Sequence, residues 1–138
     1  MTTTLELLVA KLAIRDLLYG YARGVDRRDL DLVRSCFAPD ARYEGTLASG
    51  TVSDMLAALP AAMDRYVATL HFMSEPMVTI DGDEARSETA AVAYHVLRDP
   101  PGGLRAVAVR YDDVLQRDPS GWRIVARHVH PTDRSRLR

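Results

Sequence analysis

The hydrophobic pattern of this chain changes period once, near Thr69, and that change limits the folds open to it. Before it, apolar residues recur at three- and four-residue intervals; after it they alternate, as on a strand whose successive side chains face opposite ways. Leu5, Leu8, Leu12, Leu17 and Leu18 predict a long helix from Thr4 to Gly24, with the threonine cluster as cap and Gly24 as stop. Leu30, Val33 and Phe37 predict a second helix over 29–37, closed by Pro39-Asp40. A brief strand is expected over 41–46. A third helix is expected to run from the Gly50-Thr51-Val52-Ser53 cap to about Tyr66, bent or split by Pro60.

In the second half, strands are predicted over 69–73, 77–80, 85–98, 104–116 and 122–130. Asp81-Gly82-Asp83, Pro100-Pro101-Gly102-Gly103 and Asp118-Pro119-Ser120-Gly121 punctuate them as turns in hairpin order. Helices followed by such a meander make an α+β domain, with the helices covering one face of a curved, mostly antiparallel sheet. With 138 residues, 47% hydrophobic and 27% charged, the chain is expected to be one domain, 1–138, with a real core.

Charge excludes some functions. The 18 Lys and Arg nearly cancel the 19 Asp and Glu, so there is no broad basic field and nucleic acid is not an expected partner. The single cysteine, Cys36, rules out an internal disulfide. No apolar run is long enough to span a membrane, and Glu6 and Asp16 interrupt the apolar N-terminal pattern; the expected location is cytoplasmic.

Function first shows in the strand faces. Ala91, Ala93, His95 and Leu97 share one side, and two alanines beside a histidine leave volume unfilled, so this face is expected to border a cavity. Val92, Tyr94 and Val96 take the other side. On the last strand Trp122, Ile124, Ala126, His128 and His130 share a face, which would direct further histidines toward the same hollow. His128 and His130 alone do not make a metal site, because no carboxylate with ligand-like spacing accompanies them.

Several segments together resemble the SnoaL-like and scytalone dehydratase-like enzymes of the nuclear transport factor 2-like fold. They are Gly24-Val25-Asp26-Arg27-Arg28-Asp29-Leu30-Asp31, Phe37-Ala38-Pro39-Asp40-Ala41, Thr69-Leu70-His71-Phe72 and Tyr94-His95-Val96-Leu97-Arg98. The resemblance implies a cone in which the helices and sheet enclose a pocket. It implies an Asp26-His71 dyad, with His95 and Tyr43 as further catalytic groups. Val25 stands where the family's dehydratases carry a tyrosine, and Tyr21, five residues before Asp26, is the expected substitute by similarity to bile-acid dehydratases. Val25, Phe72 and Met73 beside the dyad are expected to contact substrate, as are Ala93, Leu97, Ile124 and His128 on the later strands.

The chemistry fits these residue types. A carboxylate that accepts from one imidazole nitrogen fixes the tautomer and makes the other nitrogen the better base. His71 would then abstract a proton beside a carbonyl of an apolar polycyclic or aromatic metabolite, with Tyr43, Tyr21 and His95 acting on the enolate oxygen and the leaving hydroxyl. The scheme requires no cofactor or metal. The same pocket would also serve a ketosteroid-isomerase-like isomerase, a polyketide cyclase or an epoxide hydrolase. The dyad likewise resembles that of hexachlorocyclohexane dehydrochlorinase. Read without the resemblance, Asp26 is a solvated loop acid or helix cap and His71 a core histidine, as they would be in a non-catalytic binding protein or structural subunit of this fold. Homodimerisation is expected through an outer face of Val92, Tyr94, Val96, Val107, Val109 and Tyr111.

Overall fold

The computed structural model describes residues 2–132. Three helices, α1 (Thr4–Asp26), α2 (Leu30–Ser35) and α3 (Val52–Met63), precede most of a seven-stranded sheet. Its strands are β1 (Phe37–Glu44), β2 (Ser49–Thr51), β3 (Tyr66–Met73), β4 (Met77–Asp81), β5 (Glu84–Leu97), β6 (Leu104–Asp118) and β7 (Gly121–Pro131). Thr3 and Glu6 close a capping box at the start of α1, and Thr51 and Asp54 do the same for α3, each pair satisfying donors that a helix start leaves unpaired.

The sheet is mixed and open, in the order β2-β1-β7-β6-β5-β3, with β4 pairing along the rest of the β5 edge. All neighbours are antiparallel except β1 and β7, which run parallel. The three expected hairpins, β4–β5, β5–β6 and β6–β7, form, but β3 and β4 do not pair with each other as a continuous meander would have them: both pair with β5, β3 along its C-terminal half and β4 along its N-terminal half. α1 packs across β3 and β7, and α3 covers β1. Ile14, Leu18, Val33, Met55, Leu115 and Ile124 are fully buried between them.

Several boundaries differ from the sequence expectation. α1 runs past Gly24 to Asp26, and Gly24 serves a close approach instead of a stop: a Cβ there would lie 2.8 Å from Val33 Cγ2 and 3.0 Å from the Val33 nitrogen. The chain then turns through Arg28 in a left-handed conformation (φ 59°), and the Asp29 N–H donates to the Gly24 carbonyl at 2.8 Å. α2 ends at Ser35, because Phe37 already belongs to β1, which carries Pro39 within it. α3 tolerates Pro60 but ends at Met63, and β3 begins at Tyr66.

The largest departure is on β7. Leu115 pairs with Ile124 but Val114 pairs with Ala126, so Val125 is an extra residue and the faces exchange there. Trp122 and Ile124 point inward, and beyond the bulge Arg127 and Val129 do. His128 and His130 therefore lie on the outer face, stacked with ring centroids 3.8 Å apart, and His130 Nε2 reaches Asp112 Oδ2 at 2.9 Å. The expected outer face is also split. Ala93 pairs with Val107 and Thr89 with Tyr111, which puts Val107, Val109 and Tyr111 inside with the alanines. Ala106 and Ala108 take the outer positions opposite Tyr94 and Val92.

Candidate active site

Asp26 is the last residue of α1, and its carboxylate faces β3 across the turn that Gly24 makes possible. Three donors converge on it. His71 Nδ1 lies 2.7 Å from Oδ1, the Thr69 hydroxyl donates to Oδ1 at 3.0 Å, and the His71 backbone N–H donates to Oδ2 at 2.9 Å. Thr69 and His71 are two apart on one strand and so share its inner face. Behind them Arg28 Nη1 donates to the Thr69 hydroxyl at 3.4 Å, while Nη2 reaches the Met63 and Tyr66 carbonyls, tying the turn after α1 to the start of β3.

Burial pushes the Asp26 carboxyl up, but the hydrogen bonds from His71 and Thr69 and the His71 charge together hold it below the ordinary aspartate value. An ionised Asp26 accepts from Nδ1–H, which leaves Nε2 of His71 as the nitrogen open to a ligand.

His71 borders a cavity of about 350 Å³ between α1, α3 and the inner face of the sheet. Tyr21, Tyr43 and Tyr111 are its buried polar lining, Val25, Leu59, Ala93, Val107 and Val109 its apolar walls, and the exposed Thr46, Arg65, Arg105 and Pro131 its mouth. His95 stands between wall and mouth. Its ring packs against Tyr66 (centroids 4.4 Å apart) and lies 6.4 Å from that of His71, and its Nδ1 is buried without a hydrogen-bond partner among the described residues. Burial, with the His71 charge next, lowers the His95 pKa below the usual histidine value, so the ring is a neutral donor and acceptor at neutral pH. Burial raises the Tyr21, Tyr43 and Tyr111 phenols, so each keeps its proton.

A buried ion pair lies among these phenols. Arg127 and Asp113 face each other across β6 and β7, with Nε–Oδ1 at 2.7 Å and Nη2–Oδ2 at 2.9 Å, both side chains fully out of solvent. The guanidinium sits over the Tyr21 and Tyr111 rings at 4.3 and 4.4 Å. Burial opposes its charge, but Asp113 more than offsets this and keeps the guanidinium protonated.

The structure thus brings Asp26, His71, His95, Tyr43, Tyr21, Val25 and Ala93 to one place. Phe72 and Met73 lie beside the dyad but outside this cavity, and Leu97, Ile124 and His128 are not gathered there. Phe72 is adjacent to His71 and so faces outward, 62% exposed, edge-to-face with Tyr94. Met73 and Phe72 line a second hollow of about 480 Å³ between α1 and β3, together with Asp26, His71, Tyr19 and Ala22. Leu97 sits at the start of the β5–β6 connection, its N–H bonded to the Gly103 carbonyl. Ile124 is core, its N–H bonded to the Cys36 carbonyl, and His128 is outside for the reason given above. A wider depression of about 900 Å³, lined by Glu75, Arg86, Glu88 and Asp112 among others, does not reach the dyad.

Sequence reasoning missed Thr69, Arg28, Tyr111, Arg127 and Asp113. Two of these carried a signal: Thr69 shares the His71 parity, and Asp113 stands between Tyr111 and Leu115 at alternate positions where an apolar residue belongs.

Residues 6–128 match the model of the SnoaL-like domain family. The chain belongs to that family. An uncharacterised protein of Mycobacterium tuberculosis (strain ATCC 25618 / H37Rv) is 28% identical over 121 residues, covering 85% of this chain and 82% of the relative. A candidate scytalone dehydratase from Novosphingobium aromaticivorans superposes with a TM-score of 0.85 at 16% identity, covering 95% of this chain and 89% of the other. A hexachlorocyclohexane dehydrochlorinase of type 2 superposes with a TM-score of 0.83 at 17% identity, covering 95% and 90%. The fold of this SnoaL-like chain is therefore nuclear transport factor 2-like. Among the described residues no helix is long and apolar enough to cross a membrane.

Proposed function

We propose that the chain is a cofactor-independent lyase of the dehydratase type, acting on an apolar carbonyl compound. The observation that carries this reading is the 2.7 Å contact between Asp26 and His71, made where the histidine borders a largely apolar cavity. His71 Nε2 takes the proton from the carbon next to the carbonyl, and the C–H electron pair passes into an enolate. The protonated phenols of Tyr43 and Tyr21 are the donors assigned to the enolate oxygen, since donors aimed where charge develops stabilise the transition state without reorganisation. Collapse of the enolate expels a β-hydroxyl, which leaves as water with the proton held by His71 or one relayed by His95. The elimination named for the dehydrochlorinase neighbour supports the reaction class.

The test needs no knowledge of the natural substrate. A panel of apolar β-hydroxy ketones is incubated with the protein in D2O, and deuterium at the α-carbon and loss of water are followed by mass spectrometry. Exchange and elimination are expected with wild type and absent with His71→Ala and Asp26→Asn, both checked for a native circular dichroism spectrum. Undiminished turnover in a folded His71→Ala protein would overturn the reading. Exchange without loss of water would favour the isomerase alternative.

A further inference from the structure

The cavity has a one-sided charge that the proton-transfer scheme does not use. Among the described residues neither Asp nor Glu lines it, whereas Arg65 and Arg105 both do, at its exposed mouth. Each is placed near His95. Arg105 pairs with His95 across β5 and β6 and so projects from the same inner face. Arg65 precedes Tyr66, its guanidinium lies 5.9 Å from that ring, and Tyr66 in turn packs on His95. Asp64, next in sequence, lines a different hollow with Arg28 and Pro60. Neither Arg65 nor Arg105 makes an ion pair among the described residues, although Arg110 and Arg117 on the same strand as Arg105 each have a carboxylate partner.

We infer that the ligand of this cavity carries a carboxylate, held at the His95 end of the mouth by Arg65 and Arg105 while its apolar body fills the space toward Val107 and Val109. The inference rests on the reading of this cavity as the substrate site and adds the substrate class: an apolar carbonyl acid, not a neutral ketone. Planar guanidinium groups match a carboxylate by paired N–H donors, and two such groups with no acidic partner among the described residues can hold an anion without first displacing a protein carboxylate.

The probes are 2-naphthoate and 2-naphthamide, bicyclic compounds of the same shape that differ in charge. Their affinities are measured by titration calorimetry at low and high salt, with histidine ring shifts of His95 reporting that they occupy the cavity. For exposed guanidinium groups the carboxylate is expected to bind about fivefold to tenfold tighter than the amide at low salt. High salt should shrink the preference. It should fall to near unity in Arg65→Gln/Arg105→Gln, with amide affinity unchanged. The salt comparison uses wild-type protein, so it stands even if the variant folds poorly. Equal affinities, or a preference that survives both substitutions, would overturn the inference and leave the lyase reading intact. Binding of neither probe would overturn the cavity as a ligand site and the inference with it.

Discussion

The hydroxyl of Thr69 donates to Asp26 Oδ1 over 3.0 Å, at the same carboxylate oxygen that receives Nδ1 of His71. Thr69 is thus part of what keeps the dyad's acid ionised, because a hydrogen bond to a carboxylate favours its charged form. Thr69→Val should raise the Asp26 carboxyl pKa toward the ordinary aspartate value, and Thr69→Ser should leave it near wild type. Titration of the carboxyl carbon by NMR reads this directly. Loss of one charge-assisted bond should lower turnover on the order of tenfold in Thr69→Val, with recovery in Thr69→Ser. A valine variant with an unshifted Asp26 would show that the hydroxyl is a bystander.

The shifts of His95 and Asp26 both contribute to how stability responds to acid. The folded pKa of His95 is depressed below its ordinary value of 6.5. As pH falls through 6.5 the unfolded chain takes up a proton that the folded chain refuses, so stability declines until the folded value is passed. Asp26 is also depressed, so its contribution is present above its ordinary 3.8 and is lost as pH falls below that, through the folded value. The two losses set in at different pH, below 6.5 for His95 and below 3.8 for Asp26. Urea unfolding from pH 7.5 to 3 should show His95→Asn flattening the upper part of the decline and Asp26→Asn the lower. A His95→Asn profile parallel to wild type between pH 6.5 and 5 would refute the assignment.

What the sequence made legible was set by where its periodicity holds. Ala93 and His95 face the cavity as alternation requires, because β5 and β6 pair without a break from Glu84 to Val96. β7 is different: Trp122 to His130 contains neither Gly nor Pro to mark an extra residue, so the bulge at Val125 is silent and His128 and His130 were placed on the wrong face. Phe72 follows a simpler rule. If His71 faces inward its neighbour must face outward, so Phe72 stays out of the cavity while lining the hollow beside Asp26 and His71. Asp26 and His71 are 45 residues apart, and no local pattern joins them; only the resemblance of their surrounding segments did.

Gly24 shows the same limit at a helix. It reads as a stop, yet α1 continues two residues beyond it to Asp26, and Val33 and Asp29 occupy the space where a side chain would be. Gly24→Ala gains helix propensity but forces a methyl against the Val33 backbone nitrogen. The net should be a loss of about 1–3 kcal/mol, as for overpacked sites. Because the displaced turn carries Asp26, proton exchange into substrate should fall with it. A variant with raised stability in urea would mean that α2 moves aside freely.

Arg127 and Asp113 should behave as a unit. Each is fully buried, so removing one partner strands the other's charge among Tyr21, Tyr111 and Phe37. Arg127→Met should therefore cost about 3–5 kcal/mol, most of it from the uncompensated Asp113 carboxylate. Asp113→Leu should cost a similar amount through the stranded guanidinium. The double variant removes both charges at once and restores an apolar packing surface, so it should be markedly more stable than either single variant. Urea denaturation of the four proteins gives the coupling energy, and a double variant whose loss equals the sum of the two single losses would show that the pair is not coupled. The tyrosines separate stability from chemistry. Without the guanidinium over their faces, the Tyr21 and Tyr111 rings lose the contact that orients them, so the folded double variant should bind an apolar probe yet catalyse less α-proton exchange than wild type.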